Sequence, residues 1–519
     1  MARFYRHFAN PDGICYLDLA SNASVSGPCA LVNPHWSPLY PALIALWNLV
    51  IRPSPFQEFA SVHGLNAVIF FATSISFGFF LRELILFRAP ERGDLQSQWA
   101  FIAFAFALFL YYLNGHITPF ALTPDILLAA AQFGSAALFF RIVRGASKRS
   151  TYVALGCVLA LGYYAKSIML PAGVVLLGIL LVCRYRSRAH LKNVLIAAAV
   201  MLLVCAPNIA MVSSRVRHLS IGETGRLNYL WWVQGMRQFE GWTGTPGSDM
   251  PIHGPRLIAK DPEVLEFATP ISGTYPLWYD PAYWYAGATV RFNLKQQWAA
   301  LRLSLLFYKN FLFESRYLLG GLIVFIVLAI SARRRPSASA CWFMLWPVAW
   351  LVMYALLTTE YRYVASSLIL FWVSAYSLVL AREGAFSRLL LIALAAVILA
   401  PRLIELNAHR SSARERREPD YFLVARDLKQ MGIEPGDSIA TVGEAFGHYY
   451  ARIVRVHVVA QITDANAFWS LSPSSAEAIE RVVAGTGAKI LMAFGRPPAF
   501  QSEDWHIVPG TSYSVLRLR

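Results

Sequence analysis

Outside its basic tracts the sequence holds few ionisable side chains, and those few could do chemistry. Among them are Asp12, Asp18 and His35 near the start, Asp125 and Lys166 further on, and Glu360 with Arg362 late in the chain. A carboxylate within hydrogen-bond reach can take a proton from an attacking hydroxyl. Lysine and arginine can hold an anion by charge-assisted hydrogen bonds. A set of carboxylates and cations converging on one face would suggest catalysis there. No C-x-x-C or H-E-x-x-H spacing occurs, and no G-x-G-x-x-G or Walker pattern.

The elements that must position these residues are apolar. The chain has 519 residues, 56% of them hydrophobic and only 15% charged, where soluble domains average about 25% charged. Lys and Arg number 46 against 30 Asp and Glu, a net charge of +16. On a soluble protein that excess would suggest nucleic acid. Here the basic residues bunch between apolar runs, so a nucleic-acid partner is excluded and a polytopic membrane protein is expected. Runs long enough to cross a bilayer lie around 60–81, 98–113, 122–143, 193–213, 315–331, 339–358, 363–381 and 387–404. The apolar stretch 151–183, interrupted by Lys166 and Pro171, reads as two short helices with a turn between them. That makes about ten spans, and residues 298–313 could be a further membrane or interfacial helix.

Every second short loop is basic: Arg82, Arg88 and Arg92; Arg144, Lys148 and Arg149; Arg184, Arg186, Arg188 and Lys192; Arg333, Arg334 and Arg335; Arg382 and Arg388. By the positive-inside rule these loops face the cytoplasm. Residues 1–59, the loop 214–300 and the tail beyond 405 then lie outside it. Residues 1–36 contain no apolar signal segment, so the first loop is expected to be translocated either by a further helix upstream of Met1 or by the hairpin of later spans carrying a short tail across.

The tail is expected to fold as a small α/β domain. A charged linker, Ser411 to Glu418, leads to a helix over 420–431 and a turn at Glu434-Pro435-Gly436-Asp437. Strands are expected at Ile439–Val442, in the run Val454–Ile462, at Lys489–Phe494 and at Ser512–Leu518, with a helix from Ser474 to Ala484 capped by Ser474. The loop 214–300 is rich in aromatics, including Tyr229, Trp231, Trp232, Phe239, Trp242, Tyr275, Trp278, Tyr279, Tyr283, Trp284 and Tyr285. They read either as a belt at the lipid–water interface or as a vestibule for a sugar ring or isoprenoid chain. Cys15 and Cys29 share the first loop and could form a disulfide; Cys157, Cys183, Cys205 and Cys341 read as packing residues.

Four segments carry a resemblance. The first loop reads Asp12-Gly13-Ile14-Cys15-Tyr16-Leu17-Asp18, then Asn33-Pro34-His35-Trp36-Ser37-Pro38-Leu39-Tyr40-Pro41. Thr123-Pro124-Asp125-Ile126-Leu127-Leu128 follows, then Leu161-Gly162-Tyr163-Tyr164-Ala165-Lys166-Ser167 and Glu360-Tyr361-Arg362-Tyr363. In this order they resemble the first outside loop, the second acidic loop, the G-x-x-x-x-T-K-G turn and the late R-Y loop of GT-C membrane glycosyltransferases, above all the ArnT-like and protein O-mannosyltransferase-like group. The sequence departs from that group in having Gly13 where a second carboxylate often follows the first. Asn33 and His35 also stand where ArnT-like members carry a lysine, which argues against an aminoarabinose or lipid A assignment.

The resemblance implies an α-helical polytopic GT-C fold with a C-terminal α/β domain, and transfer of a sugar from a polyprenyl-phosphate donor to a lipid, glycan or protein acceptor. Asp12 would be the general base of an inverting displacement. Asp125 would orient the acceptor, or bind a divalent metal ion together with Asp12. Lys166 and Arg362 would hold the donor phosphate, with Tyr16, His35, Trp231, Trp232 and Glu360 contacting substrate. Structural readings stand beside these roles. Asp125 could serve the helix dipole, Lys166 could snorkel, Arg362 could pair with Glu360 or anchor at headgroups, Asp18 could pack or cap, and Asp12 could be a solvated loop aspartate. The expected organisation is a first outer loop with an interfacial helix at 1–59, transmembrane helices at 60–213 and 301–405, the aromatic loop 214–300 and the outer domain 406–519, in the plasma (inner) membrane with the catalytic face extracytoplasmic. A transporter or flippase of a lipid-linked saccharide, or an inactive GT-C scaffold, are the competing expectations.

Overall fold

The computed structural model describes residues 6–518 apart from 89–97, 118–119, 146–147, 184–186, 240–241, 245–248, 268–272, 332–336, 381–383, 414–417, 496 and 498–503, with only the backbone of 405–413. Arg92, Arg184, Arg186, Arg333, Arg334, Arg335 and Arg382 of the basic loops, and 414–417 of the charged linker, lie outside the described residues. The first loop is helical: α1 spans Pro11–Ser26 and α2 Leu39–Ile51. The apolar helices follow as α3 (Glu58–Arg88), α4 (Trp99–Tyr112), α5 (Asp125–Val143), α6 (Arg149–Ala165), α7 (Met169–Cys183) and α8 (Arg188–Val216). The aromatic loop holds α9 (Thr224–Asn228), a hairpin of β1 (Arg256–Lys260) and β2 (Glu263–Glu266), and the single turns α10 (Pro276–Tyr279) and α11 (Pro281–Trp284). Then come α12 (Leu294–Glu314), α13 (Arg316–Ser331), α14 (Ala338–Phe343), α15 (Leu345–Ala355), α16 (Tyr361–Val379) and α17 (Ala385–Ala413).

Helix α3 shows why this is an integral membrane protein. Phe59, Val62, Ile69, Phe77, Phe80 and Leu84 are buried at helical spacing against the other helices, chiefly α5. The opposite face is apolar too, with Val68, Phe71, Ile75 and Phe79 exposed. In water such a face would aggregate; against lipid tails it is at home. Among the described residues seven helices are long and apolar enough to cross a bilayer, or eight if α12 and α13, bent by 71°, form one span. The expected break at Lys166 is present: α6 ends there with Lys166 in an extended conformation. Basic residues gather at one end of the bundle, where Glu83 of α3 takes Arg82 and Arg144 at 2.7 Å. Arg144 follows the last residue of α5 and Asp125 begins it, so the basic end and the acidic site lie a helix length apart.

The tail continues with α18 (Asp420–Gln430), β3 (Ser438–Val442), α19 (Tyr449–Val454), β4 (His457–Ile462), α20 (Ala465–Trp469), α21 (Pro473–Ala484), β5 (Ile490–Phe494), β6 (Trp505–Ile507) and β7 (Tyr513–Arg517). The sheet order is β1-β2-β4-β3-β5-β7-β6, parallel at β4-β3-β5 and antiparallel elsewhere. The aromatic loop therefore supplies two strands, Val264 of β2 pairing with Ile462 of β4. Alternation divides the sheet's faces: Ile439 and Met492 join the cluster of α18 and α19, whereas Ala440, Val442, Leu491 and Ala493 join that of α21. Ser472, not Ser474, caps α21, its hydroxyl accepting from the Ser475 N–H. Pro473 at the first helical position starts the helix earlier than the serine run suggests.

Two expectations about the first loop change. Cys15 and Cys29 are both free thiols; Cys15 is buried with its Sγ on the Trp278 carbonyl, and Cys29 is exposed. Asp12 lies not in a loop but in the first turn of α1. Gly13 lets α1 press against residues 120–123. A Cβ at this position would stand 2.5 Å from Leu122 Cβ, while Asn10 accepts the Leu122 N–H beside it. No second carboxylate fits there. Gly13→Ala is expected to cost about 1–3 kcal/mol, read as a lowered thermal midpoint of the purified protein; an unchanged midpoint would show that the two segments separate freely.

Candidate active site

Asp12 is positioned by Pro11, which starts α1, and by the Asn10 side chain fixed on Leu122. Its Oδ2 accepts from Arg362 Nη1 at 2.8 Å and its Oδ1 from Trp278 Nε1 at 3.3 Å. Arg362, in the first turn of α16, also donates from Nε to Glu360 at 2.8 Å and from Nη2 to the Tyr363 hydroxyl at 3.0 Å. Asp125 begins α5 after Pro124, buried, and accepts from Lys166 Nζ at 2.5 Å. The extended backbone between α6 and α7 aims Lys166 at it. Lys166 and Arg362 both lie over the Tyr363 ring, at 4.5 and 4.9 Å from its centre, within cation–π range. The pairing of Arg362 with Glu360 is therefore present, as the structural reading expected, but it is one arm of a network that also reaches Asp12.

Beside this charged cluster stands an aromatic wall. Asn33 accepts the N–H groups of His35 and Trp36 through Oδ1, and Thr224 donates to the His35 carbonyl, so the first loop holds both rings. His35 packs edge-on to Trp36 at 4.4 Å and lies 5.6 and 5.8 Å from Trp231 and Trp278. Burial pushes the His35 pKa down to about 4, so its ring is neutral near pH 7. Phe446, from the turn after β3, packs on Phe239 at 4.2 Å and Trp278 at 5.0 Å; the small domain thus contributes to the wall.

The nine residues given site roles from the sequence, Asp12, Tyr16, His35, Asp125, Lys166, Trp231, Trp232, Glu360 and Arg362, line one cavity of about 860 Å³. The same lining includes the apolar residues Ile168, Pro171, Phe292, Met353, Leu356 and Leu357. Asp18 faces elsewhere, bonded to Thr274 and Arg452. The aromatic loop divides between the vestibule reading and burial in packing. Tyr229, Trp231, Trp232, Phe239 and Trp278 line the cavity, whereas Tyr275, Tyr279, Trp284 and Tyr285 are buried in packing. Phe446 escaped the sequence reading, and Tyr363 and Trp278 were named there without a role beside the charged cluster. Tyr363 sits inside a quoted motif and Trp278 inside the aromatic loop, but nothing local marks Phe446.

Asp12 and Asp125 each face a cation already, and among the described residues no group of three His, Cys, Asp or Glu gathers to hold a metal ion.

No protein-family model matches this chain, and no curated protein matches it in sequence. Solved structures do match in fold. ArnT from Cupriavidus metallidurans in the apo state aligns over 98% of this chain and 93% of its own, at 13% identity and a TM-score of 0.50. The same ArnT bound to undecaprenyl phosphate aligns over 99% and 94%, again at 13% identity and 0.50. The Archaeoglobus fulgidus oligosaccharyltransferase aligns over 93% of this chain and 64% of its own, at 13% identity and a TM-score of 0.44. Over nearly its whole length, membrane helices and outer domain together, the chain shares its fold with ArnT.

Proposed function

We propose that this protein is an inverting membrane glycosyltransferase that moves a sugar from a polyprenyl-phosphate donor to an extracytoplasmic acceptor. The observation that carries the proposal is the convergence of Asp12, Asp125, Lys166 and Arg362 on one cavity that also has apolar lining residues. The similar ArnT binds a polyprenyl phosphate, and the apolar lining offers an isoprenoid chain a path. The basic end of the bundle, opposite the cavity, supports a catalytic face outside the cytoplasm.

In this reading Asp12 takes the proton of the acceptor hydroxyl as its oxygen bonds to the anomeric carbon. The bond from that carbon to the phosphate oxygen breaks, and the lipid phosphate leaves with the electron pair. Lys166 and Arg362 donate hydrogen bonds to the phosphate as its charge builds. Asp125 is a positioning residue that holds Lys166 in line. One displacement inverts the anomeric centre and needs no second, nucleophilic carboxylate.

A donor labelled in both sugar and phosphate tests this in liposomes containing the purified protein. Transfer separates the two labels, the sugar going to the acceptor while phosphate stays on the lipid. Labels that cross the bilayer together, never parting, would instead identify a transporter of the lipid-linked saccharide.

A further inference from the structure

Four rings meet at the aromatic wall, and their polar atoms are not equally served. Trp36 Nε1 donates to the Trp278 carbonyl at 3.0 Å, and Trp278 Nε1 donates to Asp12. His35 Nδ1 and Trp231 Nε1 are buried and have no hydrogen-bond partner among the described residues. His35 is only 8% exposed and Trp231 5%, and both line the cavity. The position of His35 is fixed on every side: Asn33 takes its N–H, Thr224 donates to its carbonyl, and indole rings flank it. A buried donor or acceptor left unsatisfied costs about 1–3 kcal/mol, so two such atoms at adjacent rings of a cavity call for an explanation.

We propose that His35 and Trp231 form a subsite for an uncharged, hydroxylated sugar ring, which stands against the indole faces while its oxygens meet His35 Nδ1 and Trp231 Nε1. This rests on the reading of the cavity as a sugar-transfer site and adds the class of sugar it takes. An indole N–H only donates, so its partner is an oxygen acceptor such as a hydroxyl or an acetamido carbonyl. A neutral imidazole reads a hydroxyl in either tautomer. Burial keeps the imidazole neutral, so both reading groups are uncharged. An ammonium on the ring would lose its water here with no counter-charge from these two residues. These two groups therefore read the hydroxyl and carbonyl oxygens of a neutral sugar and supply nothing that an ammonium would need. The ring could belong to the donor or to a glycan acceptor; the recognition chemistry is the same.

The test is binding to the full chain in lipid nanodiscs, with three probes: a polyprenyl phosphate, the same lipid carrying a neutral hexose, and a soluble methyl hexoside. The wild type is expected to bind the hexosyl lipid more tightly than the bare lipid. His35→Phe and Trp231→Phe, which keep a ring and remove the polar atom, are expected to reduce that advantage about tenfold while leaving bare-lipid affinity unchanged, which also reports correct folding. Lys166→Gln is expected to weaken both lipids alike. If the loss falls on the methyl hexoside and the hexosyl lipid is untouched, the subsite reads the acceptor's sugar. Equal losses for bare and hexosyl lipid, or no loss for any sugar, would overturn the subsite while leaving the phosphate assignment standing. A wild type that binds neither lipid would overturn the transfer reading, and the subsite with it.

Discussion

Asp12→Asn is expected to reduce sugar transfer by about 10²–10⁴-fold, the usual contribution of a positioned general base, while leaving binding of polyprenyl phosphate intact. The substitution is conservative in shape. An asparagine oxygen can still accept from Arg362 or Trp278, the two partners of the Asp12 carboxylate. What it cannot do is take a proton from an acceptor hydroxyl at neutral pH. Transfer rates on the purified protein, with lipid affinity measured alongside, separate this loss from misfolding. Full transfer by the variant would remove Asp12 from the chemistry and leave it as a structural partner of Arg362 and Trp278.

The second large effect concerns the seam between membrane and outer domains. Arg452 of α19 is buried; it donates to Asp18 at 2.6 Å and to both carboxylate oxygens of Glu58 at 3.0 and 2.7 Å. It also bonds the Leu17 carbonyl and the Ser21 hydroxyl, while Arg455 adds a bond to Glu58 at 3.0 Å. Arg452→Met is expected to destabilise the folded protein by about 3–5 kcal/mol, because it leaves buried carboxylates without their main counter-charge. Thermal unfolding of the purified protein reads the loss. Adding Asp18→Asn and Glu58→Gln to Arg452→Met is expected to restore part of the stability, since neutral polar groups are cheaper to bury than unpaired ions. If Arg452→Met unfolds at the wild-type midpoint, the seam is not held by this cluster.

The sequence shows the membrane helices because lipid and protein interior both demand apolar side chains, so each span is a continuous run. The break at Lys166 is legible for the same reason: a charge and a proline interrupt an otherwise unbroken stretch. The site residues are legible because an ionisable group among such helices has few structural excuses. Asp18 shows the limit of that logic. It too is a carboxylate in the first loop, yet its partners, Thr274 and Arg452, lie hundreds of positions away.

Long-range pairing hides other features. Strand β1, Arg256–Lys260, shows no buried face, and β2 joins β4 across roughly two hundred residues; neither has a local signal of membership in the C-terminal sheet. Phe446 reaches the cavity only because the turn after β3 faces the bundle. The aromatic loop looked like a belt or a vestibule because composition cannot tell a ring against lipid from one against Trp284 or another buried ring. Gly13 reads as a lost carboxylate until Leu122 is seen where its Cβ would go.

One measurement bears most directly on direct displacement in this cavity: nuclear magnetic resonance of the product formed from an anomerically pure polyprenyl-phosphate sugar, purified protein and a hydroxyl acceptor. The predicted result is a glycoside of the opposite anomeric configuration. A product of retained configuration, or a donor recovered intact with every acceptor offered, would contradict it.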